Sequence, residues 1–287
     1  MNGTPVSFMA TDGRALGGTL FRPAGPPSMA LLINGAMGVP HRFYGRFAAW
    51  LAEQGALVLT YDYRGVGASR GPRLRDDPTT LLDWARLDQP AAIATLRAAA
   101  PGCPWCLIGH SVGGQIAGLS PEPAQAAGIV FVAAQSGALR HWRGLPWVRV
   151  AALWFVLIPS LTRLLGYLPG RRLGLGEDLP PGVVRQWAQW GRTDDYLLSE
   201  LGDAGRAGWA ALSGRRVAVR FTDDPIAPEA AVEALLAWMP QAHLTRVVVD
   251  PAQLGHPIGH FGYFKPDVGG ALWPNLWAEL QAATRAT

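Results

Sequence analysis

The sequence predicts an α/β fold: a mostly parallel, eight-stranded sheet with helices on both faces and a mostly helical cap insertion. Three observations predict it. Short apolar runs alternate with segments whose apolar residues recur at helical spacing, the pattern of a doubly wound parallel sheet. Runs 29–33 and 57–61 are almost continuously apolar, as expected of strands buried on both faces. Residues 137–212 break the alternation: they hold no clear strand and half of the 12 tryptophans.

In chain order, 6–10 and 16–22 alternate enough to be short strands joined by the turn signal Asp12-Gly13. Strand 29–33 ends in the glycine-rich loop 34–40. Phe43, Phe47, Trp50 and Leu51 then mark a helix over 42–53, which Gly55 ends before strand 57–61. A long helical segment is expected from 79 to 100. A strand leads into Gly109-His110-Ser111-Val112-Gly113, a helix follows, and 128–134 is another strand. After the insertion the sheet resumes with 216–222, a helix over 229–238 and strand 245–249, and a helix over 272–283 closes the chain. The expected division is a core of 1–136 and 213–287 carrying a cap of 137–212.

Composition excludes several classes. At 287 residues, with 49% hydrophobic and 16% charged, the chain is globular with a large apolar interior. Its net charge of +4 is carried by scattered arginines, so no nucleic-acid surface is expected. No basic segment followed by an apolar one opens the chain, which predicts a cytoplasmic protein. The apolar stretch 145–168 is punctuated by Arg149, Pro159 and Arg163, so it reads as a cap or core helix and not as a membrane span. Cys103 and Cys106 form a C-x-x-C just before a strand. A zinc site would need two further ligands and no second cysteine pair exists, so they read as ordinary thiols. Neither metal nor organic cofactor is expected. The partner is a small-molecule substrate, and the protein is a monomer or homodimer.

The chemistry concentrates at loops after strands. Gly109-His110-Ser111-Val112-Gly113 has the G-x-S-x-G pattern of a nucleophile elbow, a strand-to-helix turn too tight for bulk beside the serine. Acyl transfer from such a serine needs a base, an acid to orient the base, and donors for the oxyanion. Asp223 and Asp224 follow strand 216–222, and His256 and His260 follow strand 245–249. Serine, acid and histidine therefore arrive in order, each at the carboxyl end of a strand. One oxyanion donor is expected from the Val112 N–H and the second from the loop after strand 29–33, with Ala36 the first choice and Met37 the alternative. His41 and Tyr44, beside that loop, and the cap residues Trp142 and Trp187 are candidate substrate contacts.

These motifs resemble the α/β-hydrolase superfamily, and more narrowly a bacterial group of hydrolases related to the monoglyceride-lipase and serine-aminopeptidase-like branch. The resemblance covers nearly the whole chain and is carried by 36–40, 61–67, 109–114, 176–180, 223–228 and 258–264. It implies a Ser-His-Asp triad of Ser111, Asp224 and His260. Asp224-Pro225-Ile226-Ala227-Pro228 matches the superfamily's acid motif, which would leave Asp223 an exposed turn residue. Gly259-His260-Phe261 matches the group's histidine motif, and His256 falls where the group varies. Asn34-Gly35 departs from the usual His-Gly. The implied activity is hydrolysis of a carboxylic ester, thioester or amide of a small, largely apolar substrate. An acyltransferase using the same triad and a non-catalytic binding member are the alternatives.

Overall fold

The structure, a computed structural model, describes residues 3–285. Its eight strands are β1 (Thr4–Met9), β2 (Ala15–Phe21), β3 (Met29–Asn34), β4 (Ala56–Tyr61), β5 (Trp105–His110), β6 (Gly128–Val132), β7 (Gly214–Phe221) and β8 (Ala242–Val249). They form one sheet in the order β1-β2-β4-β3-β5-β6-β7-β8. β2 pairs antiparallel with β1 and with β4, and every other neighbouring pair is parallel. Every residue of β3, β4, β5 and β6 is buried, which is why these strands read as near-continuous apolar runs.

Helices cover the sheet on both faces. α1 (Gly45–Glu53) buries Phe47, Ala48, Leu51 and Ala52. Its Phe47 ring packs 5.1 Å from that of Trp273, the first residue of α8 (Trp273–Arg285). α2 (Gln89–Ala99) is entered through a π-helical turn over Trp84–Asp88, in which the Gln89 N–H reaches back to Trp84 O. The segment expected as one long helix therefore has a wide turn in it. Pro90 is the physical reason: it has no N–H to offer the carbonyl four residues earlier, and its ring crowds that carbonyl. α3 (Val112–Gln115) follows β5, and α7 (Glu229–Leu236) follows β7.

Residues 137–212, between β6 and β7, add no strand to the sheet. They hold α4 (Gly144–Leu165), α5 (Pro181–Gly191) and α6 (Leu198–Ala210). Pro159 does not interrupt α4, contrary to its expected punctuating role. The helix widens into a π-turn over Leu153–Leu157, where the Ile158 N–H reaches Leu153 O, and continues.

The strand order places the site. β3 lies between β4 and β5, so the chain leaves β3 toward one side of the sheet and leaves β5 toward the other. Asn34 is in register with Gly109. The loops after these adjacent strands diverge and open a crevice at the carboxyl edge, the topological switch point where open α/β sheets bind ligands. That approach leaves no room for side chains. A Cβ on Gly113 would lie 2.2 Å from the Asn34 carbonyl oxygen, and one on Gly109 would lie 2.6 Å from Gly114 Cα. Gly113→Ala is therefore expected to destabilise the protein by about 3 kcal/mol through overpacking against main chain. Gly25→Ala, where a Cβ would meet nothing within 4 Å, is the matched control and should leave the melting temperature unchanged. Equal melting temperatures for the two variants would refute this account.

Candidate active site

Ser111 sits between β5 and α3 with φ 52° and ψ −118°, a backbone conformation that non-glycine residues rarely adopt. The conformation is held from both sides. The Ser111 N–H donates to Val132 O at the end of β6, and the Ser111 carbonyl accepts the N–H groups of Gly114 and Gln115. In this turn 7% of Ser111 remains accessible.

Asp224 and His260 meet at the neighbouring strand ends. Asp224 Oδ2 lies 2.7 Å from His260 Nδ1, and both side chains are almost wholly buried. Asp224 Oδ1 accepts the N–H groups of Ile226 and Ala227, so the carboxylate is fixed before it meets the ring. Asp223 is not the exposed turn residue expected from the sequence. It is half-buried and accepts the N–H groups of Ile258 and Gly259, tying down the loop that carries His260. His256 is half-buried and has no carboxylate partner among the described residues; its Nδ1 lies 3.3 Å from Pro257 O. The Ser111 hydroxyl and His260 Nε2 have no hydrogen-bond partner among the described residues, each other included. In free enzymes such contacts are commonly long and tighten when substrate arrives.

A buried chain of hydrogen bonds links the parts. The Ala36 N–H donates to the Tyr44 hydroxyl at 2.8 Å, and that hydroxyl lies 2.8 Å from His110 Nδ1. His110 Nε2 lies 2.9 Å from the carbonyl oxygen of His260. A carbonyl only accepts, so Nε2 carries the proton, Nδ1 accepts, and Tyr44 donates to it. Burial, reinforced by the neighbouring His260, holds the His110 pKa well below its usual 6.5, and burial raises that of Tyr44. Both shifts keep the chain neutral and its direction fixed.

The same chain separates the two candidates for the second oxyanion donor. The Ala36 N–H is engaged by Tyr44, whereas neither the Met37 N–H nor the Val112 N–H has a partner among the described residues. The Asn34 side chain points away from the crevice: its Nδ2 donates to Gln89 Oε1 and its Oδ1 accepts from the Tyr61 hydroxyl. The Asn34-Gly35 departure thus alters the buried support of the loop and not its exposed edge.

Comparisons with known proteins agree with this fold. The family model of serine aminopeptidases, S33, matches residues 25–169, just over half of the chain. The chain belongs to this family. Human monoglyceride lipase is 29% identical over 123 residues, which span 42% of this chain and only 40% of that relative. Two solved structures share the whole fold. A soluble variant of monoglyceride lipase from Saccharomyces cerevisiae, in complex with a substrate analog, aligns with TM-score 0.69 at 15% identity over 99% of this chain and 96% of its own. A thermostable carboxyl esterase from Bacillus coagulans, in complex with glycerol, aligns with TM-score 0.67 at 15% identity over 99% of both chains. At such identities the likeness is one of fold. The family match holds the β3 loop and the elbow of this S33-family chain, while Asp224 and His260 lie beyond it.

The remaining candidates are placed behind or beside the crevice. His41 Nδ1 faces Asp62 Oδ2 at 2.7 Å and its Nε2 faces Thr19 Oγ1 at 3.0 Å, so both ring nitrogens are occupied. Tyr44 is buried beneath the β3 loop. Trp142 donates its indole N–H to Pro225 O, bracing the Asp224 loop from the 137–212 segment, and Trp187 packs edge-on against Trp154. One positioning residue escaped sequence reasoning: Asp223 carried no signal beyond adjacency to Asp224.

The His110 shift has a measurable consequence. The unfolded chain takes up a proton at His110 near pH 6.5 and the folded chain does not. The stabilisation is therefore complete above that pH and is lost as pH falls toward the depressed folded value. Between about pH 7 and 5, urea-unfolding free energy should fall more steeply in the parent than in His110→Gln, by up to about 1.4 kcal/mol per pH unit. Parallel pH profiles would remove this assignment.

Proposed function

We propose that this S33-family protein is a serine hydrolase cleaving a carboxylic ester, thioester or amide of a small, largely apolar substrate. The observation that carries the reading is the buried 2.7 Å contact between Asp224 Oδ2 and His260 Nδ1 at the strand ends beside a strained elbow serine. In this reading His260 Nε2 takes the proton of Ser111 Oγ as the oxygen attacks the substrate carbonyl. Asp224 holds the ring's tautomer and stabilises the imidazolium that forms. The N–H groups of Val112 and Met37, both without other partners among the described residues, receive the oxyanion; a donor of this kind contributes about 3 kcal/mol to the transition state. His260 then returns the proton to the leaving alcohol, thiol or amine, and water attacks the acyl-enzyme by the same path in reverse.

The relatives, a monoglyceride lipase and a carboxyl esterase, support ester chemistry. Residues 137–212 act as a cap over a core of 1–136 and 213–287, with Trp142 joining the cap to the acid loop. The tryptophans of the cap favour an apolar acyl or aromatic group, and the reaction is assigned to the cytoplasm.

A fluorophosphonate probe should label the protein at one site, and Ser111→Ala should abolish labelling together with turnover of a p-nitrophenyl ester series. Asp224→Asn should lower kcat by about 10⁴-fold, because the ring loses its tautomer. Labelling that persists in Ser111→Ala, or a fully active His260→Ala enzyme, would overturn the triad. Product analysis with an added alcohol separates hydrolysis from acyl transfer.

A further inference from the structure

We propose that the outer face of α4 docks this protein on an anionic lipid surface, with the helix lying in the interface and not crossing it. By length and composition α4 is the one helix among the described residues able to span a bilayer: 22 residues, of whose most apolar window only 17% is buried. A helix apolar all round normally lies inside a protein or a membrane. Here one face does pack inward. Trp154, Ile158 and Thr162 are buried, Arg192 Nε donates to Trp154 O, and Arg185 Nη2 donates to Thr162 O. With that face held by the cap, the helix cannot be surrounded by lipid.

The opposite face is largely exposed, with the Arg192 guanidinium 5.3 Å from the centre of the Phe155 ring. Leu145, Val148, Phe155 and Val156 lie on it at helical spacing, between 53% and 62% exposed, and Leu164 at its end is 77% exposed. Arg149 and Arg163 lie among them, exposed and without a carboxylate partner among the described residues. Charge decides the occupant. Residues 137–178 contain Arg140, Arg143, Arg149, Arg163, Arg171 and Arg172 against only Glu177 and Asp178, and of these arginines Arg171 is paired with Glu177. A second copy of this chain would bring the same positive charge against itself. An anionic bilayer accepts the apolar side chains below its headgroups and the guanidinium groups among its phosphates. This inference stands on the helix surface alone and does not need the triad.

The test is flotation of the full chain with vesicles of phosphatidylcholine and of phosphatidylcholine mixed with phosphatidylglycerol. The protein should float with the anionic vesicles, far less with the neutral ones, and should be released by added salt. Phe155→Ser/Val156→Ser should lose at least about ten-fold in partitioning, with circular dichroism and melting temperature unchanged. Arg149→Gln/Arg163→Gln should lose roughly thirty-fold on the anionic vesicles alone. Absence of flotation, equal binding to neutral vesicles, or undiminished binding by Phe155→Ser/Val156→Ser would each overturn the proposal. So would a dimer in sedimentation velocity that Phe155→Ser/Val156→Ser converts to monomer, since a second copy would then be the occupant.

Discussion

The site depends on one buried, uncharged hydrogen-bond chain running from Ala36 N–H through Tyr44 and His110 to the His260 carbonyl. These four residues come from the loop after β3, the turn before α1, the end of β5 and the loop after β8. Each bond contributes about 1 kcal/mol net, but a buried partner left unsatisfied costs about 1–3 kcal/mol. The chain therefore acts less as glue than as a registration device. If the β3 loop, the elbow or the histidine loop shifts, a buried polar group is stranded. Burial keeps His110 neutral, and only the neutral ring can accept from Tyr44 while donating to the carbonyl.

Around that chain, carboxylates tie the loops to the framework through main-chain N–H groups. Asp62 accepts from His41 and Ala68, Asp88 from Arg64, Asp223 from Ile258 and Gly259, and Asp224 from Ile226 and Ala227. Loops at a sheet edge have no ladder to satisfy their backbone, and these side chains take over that task. The adjacent pair Asp223 and Asp224 divides it: one holds the loop that carries the histidine, the other holds the ring. Two neighbouring acids can serve one base without sharing it, because consecutive side chains leave the backbone in different directions.

The order and kind of the core strands were legible because buried parallel strands are near-continuous apolar runs bounded by glycine. Their ends were less so. β8 begins three residues before its apolar run because it is an edge strand whose pattern is half polar. β6 stops at Val132, two residues before its apolar run does, because Ala133 turns to φ 48° to leave the sheet. Within the candidate site, order and motif single out Ser111, Asp224 and His260, and the contact between the last two follows from their place at neighbouring strand ends. The Asp223 clamp and the Tyr44–His110 chain were not legible, since they join residues 35 to 150 positions apart and leave no periodicity.

The two prolines inside helical segments carry a related lesson about reading the insertion. A proline removes one N–H and crowds the carbonyl of the preceding turn, so it normally marks a kink or an end. At Pro90 and Pro159 the helix instead widens by one residue in the turn before, and the N–H of Gln89 or Ile158 bonds five residues back. The crowded carbonyl is freed while the axis is kept. For α4 this local change has a consequence at a larger scale. A kink at Pro159 would split its outer surface into two short patches facing different ways. With the wide turn in place, Leu145 through Leu164 present one apolar stripe on a single helix, and the loss of a single hydrogen bond is what leaves that stripe whole.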